Sequence, residues 1–147
     1  MAKKLLLLCA GILMTHPAWA ENATQVSFGC APWDGRTLEI VATMPPPPDG
    51  VNAPPALLYA TVWGKGLDAL MHGERNIVLA SDGDMNGNGR ARACVGKNCE
   101  ARAVAVQFDK AELHEGGTVA GVLKFNIPDN YQTFPFQGKL QGSALCG

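Results

Sequence analysis

Charge is scarce in this chain. Only 17% of its 147 residues are Asp, Glu, Lys or Arg, and they nearly cancel to a formal net charge of −1. Average soluble proteins carry about 25% charged residues. A disordered charged tail or a phosphate-binding surface would need more. Aromatic residues reach only 7%, too few for a platform that stacks single-stranded bases. No nucleic-acid partner is expected.

Signatures of catalysis are missing as well. Ser27, Ser81 and Ser143 all lack a G-x-S-x-G frame, and His114-Glu115 runs into Gly116-Gly117 rather than H-E-x-x-H. His72 lies beside Gly73 and His114 beside Glu115, both in turn-like surroundings that favour solvent exposure. A glycosidase built on paired carboxylates is recognised by geometry, not spacing, and stays a third-ranked reading. The expectation is a protein that is not an enzyme and needs no cofactor.

Long apolar runs are confined to the start. Lys3 and Lys4 precede an apolar or small run from Leu5 to Met14, and Ala18-Trp19-Ala20 supplies a small-x-small cleavage pattern. Residues 1–20 therefore read as a signal peptide, with a single secreted β domain in residues 21–147. About ten apolar residues are too few for a helix across a bilayer, which takes ~20, so no transmembrane span is expected. Cys9 follows the bulky Leu8, which disfavours a lipidated cysteine. Cleavage after Ala20 removes Lys3 and Lys4 and leaves 10 basic against 13 acidic residues. The expected location is periplasmic or secreted.

Four cysteines then remain: Cys30, Cys94, Cys99 and Cys146. An even number in an oxidising compartment reads as a disulfide framework. Cys94-Val-Gly-Lys-Asn-Cys99 flanks a tight turn, between alternating runs 90–94 and 99–108. That spacing predicts a hairpin with Cys94 bonded to Cys99, leaving Cys30 for Cys146. A bond closing nearly the whole mature chain is worth on the order of 4–5 kcal/mol, against roughly 2 for the hairpin bond. A zinc site is disfavoured, because Cys30 and Cys146 have no neighbouring ligand.

What recurs is short, β-branched and separated by turns. Segments 24–28, 37–44, 57–63, 76–80, 90–94, 99–108, 118–126 and 134–140 all fit strands. Such spacing predicts an all-β fold, an antiparallel sandwich or barrel of about eight short strands with two disulfides. Leu67–Met71 suits one or two helical turns ended by Gly73. The proline-rich stretch Met44–Pro55 reads as a stiff extended loop over one sheet edge rather than a ligand for a proline-reading module.

Three motifs carry binding chemistry. Asp82, Asp84 and Asn86 alternate ahead of Gly87, as in the opening of a calcium loop, with Asn88 at the carbonyl position. The ninth and twelfth positions are Arg90 and Ala93, so the bidentate carboxylate is missing. The competing reading is a hairpin tip built on Asn86-Gly87 and Asn88-Gly89. Arg90 and Arg92 share a strand face, and Arg102 on the partner strand is a candidate third member of a basic patch. Trp33 sits in a turn and is the better candidate for an exposed contact, while Trp63 ends an apolar strand and reads as core. The expected function is binding of an envelope or secreted protein, as inhibitor or accessory subunit. The alternative is a calcium- or glycan-binding module using the 82–88 loop.

Overall fold

A computed structural model describes residues 24–31, 35–44, 56–81, 87–127 and 130–142. Their order is β1 (Thr24–Ala31), β2 (Gly35–Met44), β3 (Ala56–Val62), α1 (Gly64–Met71), β4 (Asn76–Leu79), β5 (Gly89–Val95), β6 (Asn98–Arg102), β7 (Val104–Ala111), β8 (Thr118–Ile127) and β9 (Asn130–Gln141).

Two-residue alternation builds the strands. In β2, Leu38, Ile40 and Ala42 are buried while Glu39, Val41 and Thr43 are only half-buried. In β8, Val119, Gly121, Leu123 and Phe125 all face inward. A strand turns successive side chains to opposite faces, so each segment presents one apolar edge to a shared core. The core joins Leu38, Ile40, Leu58 and Val62 to Val106, Phe108, Leu123 and Phe125. Two edge-to-face ring pairs brace it: Phe108 with Phe136 at 5.9 Å and Phe125 with Phe134 at 5.3 Å between centroids. Edge-to-face pairs add about 0.5–1.5 kcal/mol beyond burial.

The nine strands form one strongly curled sheet, a half-barrel, in the order β4-β7-β8-β9-β1-β2-β3-β5-β6. All neighbours are antiparallel except β1 and β9, which run parallel through Val26–Leu140 and Ser27–Gln141. The curl brings the two ends of the sheet together. Ala80, just after β4, bridges Arg90 of β5, and the Asn88 side-chain amide donates to the Val78 carbonyl at 3.1 Å. Ala103 alone separates β6 from β7, so one extended segment serves both ends. Helix α1 lies between β3 and β4 and inserts Leu67 and Leu70 into the core.

The all-β class and the 90–99 hairpin agree with expectation; two details of pairing differ. The predicted strand 99–108 divides at Ala103, its first part pairing with β5 and its second with β4 and β8. The division lets Val104, Val106 and Phe108 enter the core beyond the edge of the β5–β6 ladder. Strands 76–79 and 89–95 do not form the expected hairpin: β4 pairs with β7, and β5 with β3 and β6. One disulfide is complete among the described residues, between Cys94 and Cys99. Cys30 is also disulfide-bonded, and its expected partner Cys146 lies outside the described residues. So do residues 1–20, the expected signal peptide, and the proline-rich residues 45–55.

Candidate functional site

The outward face of β2, β3 and β5 carries the chemistry. Register sets it in rows. Val41 lies opposite Tyr59, which lies opposite Arg92; Glu39 lies opposite Thr61, which lies opposite Arg90. A third row runs from Thr43 through Leu57 to Cys94. Residues directly opposite in an antiparallel ladder share a face, with Cβ atoms about 4.5–5.5 Å apart.

Each arginine rests on an aromatic ring. The Arg92 guanidinium lies 4.9 Å from the Tyr59 ring centroid, and that of Arg90 lies 5.8 Å from the Trp63 centroid. Exposed contacts of this kind are worth about 0.5–1 kcal/mol, which favours the ring-stacked conformers by about 2- to 5-fold. Neither arginine has a carboxylate partner among the described residues. Both side chains are exposed. Trp63 itself is buried, as expected.

Arg102 does not join this pair. The register sets it opposite Ala91, on the other face of the hairpin, where its Nη2 meets the Glu100 carboxylate at 2.6 Å. A two-residue period forces this outcome, because 102 and 91 share parity with the inward residues. A different arginine copies the stacking pattern: Arg36 lies 5.7 Å from the Phe28 centroid and donates to Met71 Sδ at 3.5 Å. Sequence reading missed it, since Phe28 and Arg36 meet only through the β1–β2 register, close to the Cys30–Arg36 pair.

The Cys94–Cys99 bond bridges opposing strands of the β5–β6 hairpin. The turn beyond it is Gly96-Lys97, with Gly96 at φ +59, the positive value that tight hairpin turns require at their first position. Residues 95–100 are all exposed.

The remaining candidates do not assemble into a centre. Asp82, Asp84 and Asn86 lie outside the described residues, as does Trp33. Asn88 is engaged structurally, its carbonyl accepting from the Trp63 N–H at 3.1 Å and its amide bonding Val78. His72 is exposed, with Nδ1 2.7 Å from the Asp68 carbonyl oxygen, and exposed His114 has Nδ1 3.1 Å from that of Glu115. Thr37 is 3% exposed and its Oγ1 has no hydrogen-bond partner among the described residues. That hydroxyl and the Glu39 carboxylate fill the space above Gly29, leaving no open cradle there. Among the described residues, no three His, Cys, Asp or Glu side chains are grouped to hold a metal ion. No described helix is long and apolar enough to cross a membrane. No family model matches the chain, and neither a curated protein nor a solved structure is significantly similar to it.

Proposed function

We propose that this chain is a small exported β protein of the bacterial envelope that acts by binding another protein, as inhibitor or accessory subunit. Its place is periplasmic or secreted, and two disulfides staple it: Cys94–Cys99 and Cys30–Cys146. The Cys94–Cys99 bond fits an oxidising compartment. The observation that carries the reading is the pair of stacked arginines, Arg92 on Tyr59 and Arg90 on Trp63, on one outward sheet face. Arg and aromatic side chains are enriched at binding hot spots, and stacking reduces the side-chain entropy lost on docking. Their charge, without carboxylate partners among the described residues, suits an acidic protein surface.

The test starts by isolating the partner from envelope extract on the immobilised mature chain. Titration then compares wild type with Arg90→Ala/Arg92→Ala. Loss of one hot spot costs about 2 kcal/mol or more, a weakening of roughly 30-fold. Association should also slow as salt is raised. Equal affinities for the two proteins would remove this face from the function.

A further inference from the structure

The tip of the β5–β6 hairpin differs from every other described turn in being clamped by a disulfide at its base and exposed throughout. Val95, Gly96, Lys97 and Asn98 lie beyond the Cys94–Cys99 bond, and residues 95–100 are exposed without interruption. Val95 is 46% exposed, an apolar side chain left nearly half open to solvent. A two-stranded ribbon is narrow, about 4.8 Å between strand axes. A flat partner would touch only its end, whereas a cleft would enclose both strands.

The charges around the tip are nearly of one sign. Lys97 has no carboxylate partner among the described residues, nor have Arg90 and Arg92 at the hairpin's base. Glu100 is already paired with Arg102. The tip therefore offers a cation at its apex, an apolar side chain beside it and two further cations behind. A disulfide holds this shape before binding, which lowers the ordering cost of association.

Resting on the reading that the protein works by binding another protein, we infer that the clamped tip Val95–Asn98 inserts into a concave, carboxylate-lined cleft of the partner, with Lys97 as its buried cation. The stacked arginines then lie at the rim of that cleft. Occupying a cleft in this way is how a binding protein would block access to it.

The test places a photo-reactive benzoylphenylalanine at position 98, in the tip, or at position 101, opposite Arg92 in the β5–β6 ladder, in separate variants of the full exported chain that keep Lys97 and both arginines. After irradiation with envelope extract, the partner and the attachment points are mapped by mass spectrometry. Position 98 should attach to residues inside a cleft of the partner that is rich in Asp and Glu. Attachment to a flat surface overturns the inference. Attachment from position 101 but not from 98 also overturns it, while leaving the arginine face intact as the binding site. Attachment from neither position defeats both. With the purified partner, Lys97→Met should weaken binding about 30-fold, the size of a hot-spot loss, and Lys97→Arg should recover part of that. Reduction of the clamp, or Cys94→Ala/Cys99→Ala, should weaken binding under conditions where circular dichroism shows the chain still folded. Unchanged affinity in both the Lys97→Met and clamp variants refutes insertion. Displacement of the partner by a short DNA duplex at physiological salt would assign the cations to a general polyanion site instead.

Discussion

Gly89 and Gly96 both take positive φ, yet the fold should respond very differently to the same substitution at each. A Cβ at Gly96 meets no atom within 4 Å, because the turn stands in solvent. A Cβ at Gly89 falls on the backbone carbonyl of Thr61, where β5 lies against β3. For Gly96→Ala the left-handed conformation costs about 1–2 kcal/mol, and restriction of the unfolded chain returns about 0.4–1. The net loss is about 1 kcal/mol. For Gly89→Ala the φ of +134 costs about 1–3 kcal/mol. Displacing backbone in a packed ladder adds a further 1–3 kcal/mol or so, which after the same return of about 0.4–1 leaves a net loss centred on about 3 kcal/mol. Urea unfolding of both variants reads the difference, and the thermal midpoint should fall by about 3–5 °C per kcal/mol at this chain length. If Gly89→Ala is no more destabilised than Gly96→Ala, then β3 and β5 do not approach as described.

Two further outcomes are expected. The Thr118 N–H donates to Glu112 Oε2 at 2.7 Å and holds that carboxyl below its usual range, with the Lys110 ammonium 3.4 Å from Oε1 assisting. Because the folded value is depressed, this contribution to stability is present above the ordinary carboxylate pKa of about 4.3 and is lost as pH falls through the folded value. Glu112→Gln should therefore differ from wild type in melting temperature near pH 7 and converge with it in acid; a constant difference across pH would refute the assignment. Non-reducing peptide mapping should find Cys30 joined to Cys146; Cys30 linked to any other cysteine would break the proposed staple between the first strand and the chain's end.

Much of this architecture was legible in local pattern. Alternation in 37–44 and 118–126 located β2 and β8 and the residues each buries, because a half-buried strand writes its inward face every second residue. Leu67–Met71 marked the helix, and the Cys94–Cys99 spacing marked the clamped hairpin. Pairing was less legible. Asn86-Gly87 and Asn88-Gly89 resemble hairpin turns, yet β4 and β5 find other partners, since turn chemistry fixes a local bend and not which edges meet. The same gap hid the Phe28–Arg36 and Tyr59–Arg92 stacks, which exist only through cross-strand register. Arg90 and Arg92 were recognisable as one face from their spacing alone; the side of Arg102 depended on the turn length, which decides parity.

The parallel contact between β1 and β9 imposes an order of events on any chain made or delivered from its amino end. Val26 and Ser27 find their partners in Leu140 and Gln141, so β1 waits until β9, more than a hundred residues later in the chain, has arrived. Until then β1 and β2 can zip, and β7 can later meet β8, but the two growing halves have no seam between them. Contacts so distant in sequence are slow to form. In the interval the unpaired backbone of β1 presents an open strand edge, a template for pairing with other chains.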